Sequence, residues 1–73
     1  MTPTTVRFCE EERYDIIVDS HVVRFMAITD IGTWYGDVAI GKASQVRAAR
    51  EGFKQYVLSA ASLGQEPCEV SLG

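Results

Sequence analysis

The chain has 73 residues, of which 47% are hydrophobic and 23% charged, with seven aromatics and two prolines. That length suits one domain spanning residues 1–73, and the composition excludes a disordered segment, a collagen-like repeat and a disulfide-dense scaffold. A formal charge of −3 argues against a general affinity for nucleic acid or anionic membrane.

Thr4 to Cys9 alternates Val6 and Phe8 with Arg7 and Cys9, the period of a half-buried strand. Glu10-Glu11-Glu12-Arg13 then predicts a solvated connection or a bulged continuation, and Tyr14 to Val18 resumes the alternation. Asp19-Ser20 supplies turn chemistry, since both side chains bond nearby backbone N–H groups. Val22 to Thr29 is a strong strand, Asp30-Ile31-Gly32 is turn-like, and Trp34 to Ile40 is a further strand. Gly36 inside that strand implies a bulge or a close approach of another element.

The period changes after Gly41. Ser44 is the candidate N-cap of a helix over about Gln45–Leu63, with Val46, Ala49, Phe53, Val57 and Ala60 on one face. Gly64 fits the C′ position, and Pro67 follows. Gly52 within the helix predicts a neighbour packed close against it. Cys68 to Leu72 is a short closing strand. The expected fold is α+β: an antiparallel sheet of three to four strands, one face covered by a single amphipathic helix, in a two-layer β-β-β-α-β sandwich. Ile16-Ile17-Val18 and Val22-Val23 place apolar side chains on both strand faces, and a homodimer is one way to bury the excess.

Charge is unevenly spread: residues 1–41 carry a net −4 and residues 42–73 a net +1. Arg47, Arg50 and Lys54 share one helix face, with Lys42 near the helix start, and Glu51 is placed to offset Arg47 and Lys54. This is either a solvated face or a basic binding edge for phosphate, nucleic acid or an acidic protein surface. Glu10, Glu11, Glu12, Asp15 and Asp19 form the opposite feature. They read as an edge that discourages strand aggregation, or as an acidic docking patch for a basic protein.

Chemistry-bearing patterns are sparse. Asp19-Ser20-His21 holds the residue types of a hydrolytic triad, but neighbours on an extended chain point to opposite faces and cannot converge. Gly41-Lys42-Ala43-Ser44 echoes only the end of a phosphate loop. Cys9, Cys68 and His21 make three zinc-type ligands, one short of a structural set. A Cys9–Cys68 disulfide requires the first and last strands to be neighbours; two half-buried free thiols are the reading preferred. The expectation is therefore no enzyme, no cofactor and no metal. Met1 to Phe8 contains no apolar run of signal-peptide length, and no stretch reaches the ~18 residues of a membrane span, so the chain is expected to be cytoplasmic.

The segment Gly41-Lys-Ala-Ser-Gln-Val-Arg-Ala-Ala-Arg-Glu-Gly-Phe53, arriving after three strands, resembles the strand-to-helix end of double-stranded-RNA-binding domains, with Ala48 and Ala49 as small packing residues. That family's paired lysines would fall near Ser44 and Gln45, and its first helix has no counterpart. Gly36-Asp37 before the helix and Gly64-Gln-Glu-Pro67 after it are similar in placement to the HicB antitoxin family, without the acidic helix start of that family. Size, make-up and lack of catalytic motifs are also similar to small phage and mobile-element proteins, anti-CRISPR inhibitors among them. The leading expectation is a non-enzymatic interaction protein, of the phage or mobile-element kind, that binds and modulates a protein partner through the uncovered sheet face or the acidic and basic edges. The alternative is a nucleic-acid-binding accessory working through Lys42, Arg47, Arg50 and Lys54.

Overall fold

The structure, a computed structural model, describes residues 5–72, with the backbone alone at Ser71. The expected strand start at Thr4 lies outside the described residues. Four strands and one helix follow in the order β1 (Val6–Asp15), β2 (Ser20–Thr29), β3 (Gly32–Ala39), α1 (Ala43–Ser62) and β4 (Glu69–Ser71). The sheet order is β1-β2-β3-β4; the first three strands form an antiparallel meander, and β4 pairs parallel with β3. A parallel neighbour needs a long crossover, and α1 supplies it. The α+β sandwich expected from the sequence is therefore the fold, with a mixed rather than purely antiparallel sheet.

One face of the sheet lies under α1. Val23, Phe25 and Ala27 of β2 and Trp34 of β3 meet Phe53, Val57 and Ala60 of the helix, with Val6, Phe8, Val38, Val70 and Leu72 around them. Phe53 stacks on Phe25 with ring centroids 5.9 Å apart and takes the edge of Phe8 at 6.4 Å. Trp34 is fully buried against the edge of Tyr56, and its indole N–H has no hydrogen-bond partner. Val22 is also buried but points to the opposite face, outside this cluster.

Several local expectations need correction. Glu10-Glu11-Glu12-Arg13 is neither a connection nor a bulge: β1 runs unbroken to Asp15, each residue paired with β2 from Val6↔Thr29 to Asp15↔Ser20. Cross-strand hydrogen bonding overrides the local charge run because the strand sits at a sheet edge, where carboxylates stay solvated. The strand stops at Asp15, so Ile16 to Asp19 is a four-residue turn. Gly36 marks no bulge, since the β2–β3 register is regular; a Cβ there would stand 2.7 Å from Leu72 Cδ1 and 3.0 Å from Phe53 Cδ1. Gly52, by contrast, has nothing within 4 Å of where a Cβ would be.

The helix begins two residues earlier than expected, with Lys42 at the N-cap and Ser44 inside the first turn. The Gln45 side chain accepts the Lys42 backbone N–H at 3.0 Å, which fixes the entry without a capping hydroxyl. At the other end Gly64 has φ +76°, its N–H reaches the Ala61 carbonyl at 3.1 Å and the Gln65 N–H reaches the Ala60 carbonyl at 3.0 Å. This is a Schellman closure, as the glycine placement predicts. Cys9 and the segment leading into β4 lie at opposite sheet edges, three strand spacings or ~14 Å apart. That exceeds the ~7 Å Cα limit of a disulfide, and both thiols are free, Cys9 half-buried and Cys68 exposed.

Candidate interaction surfaces

Strand alternation divides the five carboxylates. Glu10 and Glu12 register with Phe25 and Val23 and so rise on the helix side of β1. Glu11 and Asp15 lie on the opposite side, and Asp19 sits in the turn. The predicted basic face looks toward the first pair. Arg50 donates through Nε to Glu10 Oε1 and through Nη2 to Glu10 Oε2 at 3.1 Å. That contact raises the Arg50 pKa further above its ordinary value. Lys54 Nζ stands 5.6 Å from the centroid of the Phe8 ring, a cation–π contact. Glu51 forms no ion pair with Arg47 or Lys54 among the described residues.

Glu10 and Glu12 of the acidic edge and Arg47 and Arg50 of the basic helix face are therefore two walls of one groove of roughly 550 Å³. Val23, Ile40 and Val46 form its floor, and Glu10, Glu12, Arg47 and Arg50 its rim. Arg47 is exposed on the rim with no ion-pair partner among the described residues, and Lys42 is exposed at the helix start. Such a mixed rim is unlike the single-sign track that binds nucleic acid.

The face of the sheet away from the helix carries a second arrangement, invisible before the register is known. Cys9, Met26 and Tyr35 line up across the strands, and beside them Glu11, Arg24 and Asp37 form the next row. Arg24 donates from Nε to Asp37 Oδ1 at 2.8 Å and from Nη2 to Oδ2 at 3.0 Å, while its guanidinium carbon lies 5.1 Å from the Tyr35 ring centroid. Arg13 approaches both Asp15 and Asp37 at 3.9 Å. The hydrogen bonds from Arg24 hold the Asp37 carboxyl below the usual carboxylate range, and those to Asp37 raise the Arg24 pKa. A bidentate guanidinium stacked on tyrosine is held in one orientation from two sides.

A third feature is the end of the β1–β2 hairpin. The β2–β3 ladder runs to Val22↔Ala39 and is prolonged by the Ile40 N–H donating to the His21 carbonyl at 2.9 Å, so the hairpin projects past β3 only as a short arm of Asp15, Ser20 and the four-residue turn between them. At its end Ile16 is 83% exposed, Ile17 90% and Val18 58%. The turn is nonetheless fixed: Tyr14 donates its hydroxyl to Asp19, the Ile17 N–H donates to Asp15 Oδ1 at 2.9 Å, and His21 packs against the Tyr14 ring at 5.4 Å. Asp19 adopts φ +51°, a left-handed conformation that aspartate tolerates better than most residues. The molecule measures 44 × 21 × 17 Å, with a radius of gyration of 12.8 Å against ~11 Å for a compact chain of this length.

Asp19, Ser20 and His21 do not converge. The Ser20 hydroxyl donates to the His21 carbonyl at 3.2 Å and Asp19 is engaged by Tyr14. Among the described residues no three His, Cys, Asp or Glu side chains gather as a metal site, and no helix is long and apolar enough to cross a membrane. Comparison with family models, with curated proteins and with solved structures returned no match.

Proposed function

We propose that this chain is a small non-enzymatic interaction protein that binds and modulates a protein partner, of the kind phage and mobile elements encode as inhibitors, and that it does so through the uncovered face of its sheet. The Arg24–Tyr35 stack held by Asp37 carries this reading. Arginine and tyrosine dominate the energetics of protein interfaces, and a pair already ordered before contact loses little entropy on binding. Met26 and Ile28 extend the same face with adaptable apolar surface. The nucleic-acid alternative is less well supported, because Glu10 and Glu12 share the groove with the arginines that would track a phosphate backbone.

The test is affinity capture from lysate of the host cell, comparing wild type with an Arg24→Ala/Tyr35→Ala variant whose fold is checked by circular dichroism. One protein retained by wild type and weakened at least ~10-fold in the variant, about 1.4 kcal/mol, is the expected result. Equal retention by both, or none by either, overturns the proposal. Steeply salt-dependent binding of nucleic acid, abolished by Arg47→Ala, would favour the alternative.

A further inference from the structure

We infer that the chain forms a two-fold homodimer in which the hairpin arm of each copy inserts Ile16, Ile17 and Val18 into the groove between β1, β2 and the start of α1 of the other. Three observations converge on a second copy as the occupant. The tip is an apolar wedge held in shape by the Tyr14–Asp19 and Ile17–Asp15 hydrogen bonds, so its exposure is built in and does not come from a loose loop. The groove, roughly 550 Å³ in volume, offers an apolar floor of Val23, Ile40 and Val46 beneath a charged rim on the same molecule. Charge matches on the helix wall of the groove: Asp19 flanks the wedge without an ion-pair partner among the described residues, and so do Arg47 on that wall and Lys42 at the helix start, while Glu12 stands on the opposite wall and Asp15 beside Arg13.

Position selects the symmetry. Glu12 on the groove rim is only four residues from Ile16, ~13 Å along the strand, so wedge and receptor lie at one end of the molecule. Two copies meeting end to end exchange wedges at once, which closes the contact as an isologous pair. Two reciprocal insertions also bury twice what one does, toward the ~1,200–2,000 Å² of a stable interface. Edge-to-edge pairing of two β1 strands centred on Glu10, Glu11 or Glu12 would set like carboxylates against one another. An anionic lipid surface is disfavoured by Asp15 and Asp19 beside the wedge.

Sedimentation equilibrium over a range of concentrations tests this directly. Wild type is expected to reach twice the 8.1 kDa chain mass. Ile17→Asp, at a fully solvated position, should weaken the dimer by at least ~100-fold, about 2.7 kcal/mol, with an unchanged far-ultraviolet spectrum. Arg47→Glu should weaken it from the receptor side. In a background lacking Cys9 and Cys68, Ile17→Cys combined with Arg47→Cys should give a covalent dimer on oxidation. A wild-type monomer at every concentration, or a dimer indifferent to Ile17→Asp, overturns the inference. In the same background, a ladder of higher species formed on oxidation by Ile17→Cys combined with Ala48→Cys, which lies in a second groove lined by Val38, Ala49, Tyr56 and Leu72, overturns it in favour of head-to-tail association. Because Arg24 and Tyr35 lie outside this contact, the dimer can fail while capture through the sheet face succeeds, and the reverse.

Discussion

Gly36 and Gly52 look alike in the sequence and differ in space. Adding a Cβ at Gly36 drives it into Leu72 and Phe53, so Gly36→Ala should destabilise by about 1–3 kcal/mol through overpacking. Gly52 faces open space on the helix surface, so Gly52→Ala should stabilise by about 0.5–1 kcal/mol by raising helix propensity and reducing unfolded-state freedom. Denaturant midpoints of the two variants, moving in opposite directions, check the contrast. Asp37 gives a pH signature. Its carboxyl titrates below the usual range in the folded chain because Arg24 hydrogen-bonds it. As pH falls through the ordinary carboxylate range, ~4, the unfolded chain takes up that proton first. The stabilisation is full above that range and lost as pH falls through the lower folded value. Both partners are about a third exposed, so solvent screening limits the pair to about 1 kcal/mol. Asp37→Asn should flatten the melting-temperature profile on the acid side and leave little change in slope above pH ~6.

At the scale of elements, the helix and its glycine closure were legible because a 3.6-residue apolar period and Gly64 point the same way. Its start was not, because the only hydroxyl nearby, Ser44, suggested a cap that the backbone does not use. Ser44→Ala should therefore shift stability by less than ~0.5 kcal/mol, while Lys42→Asp should add about 1 kcal/mol by supplying a capping oxygen and replacing a cation at the positive end of the helix dipole. Thermal melts of the two variants decide between the caps. The continuity of the first strand is hidden in the sequence for a related reason. Four consecutive charges look like a loop to local propensity, yet ten residues of pairing to β2 hold them in a strand. The same register made the Arg24–Asp37–Tyr35 arrangement illegible: thirteen residues separate arginine from aspartate, and only the pairing Arg24↔Asp37 brings them together.

Across the whole molecule, the separation of charge into an acidic strand half and a basic helix half survives in sequence but folds back on itself. Glu10 meets Arg50, and Glu10 and Glu12 face Arg47 and Arg50 across one groove, while Glu11 and Asp15 lie on the other side of the sheet. At the arm and the start of the helix, Asp19, Lys42 and Arg47 have no ion-pair partner among the described residues. The apolar run Ile16-Ile17-Val18 was legible as an excess of surface in need of burial; its place at the end of an overhanging hairpin was not, because that depends on where β3 stops.

The three-residue β4 has a consequence for how the chain opens. Its partner on β3 lies 34 residues earlier at Tyr35↔Glu69, whereas the β1–β2 and β2–β3 turns are short. Closing that long loop comes late on entropic grounds, and a strand so short is the first to come away. Amides of β4 should exchange with deuterium well ahead of those in β2. Each such fraying event lifts Val70 and Leu72 from beside Gly36 and momentarily bares the outer edge of β3. The unguarded margin of this sheet is thus intermittent, opening and closing with its last strand, while the permanently exposed margin along β1 carries its own guard of carboxylates.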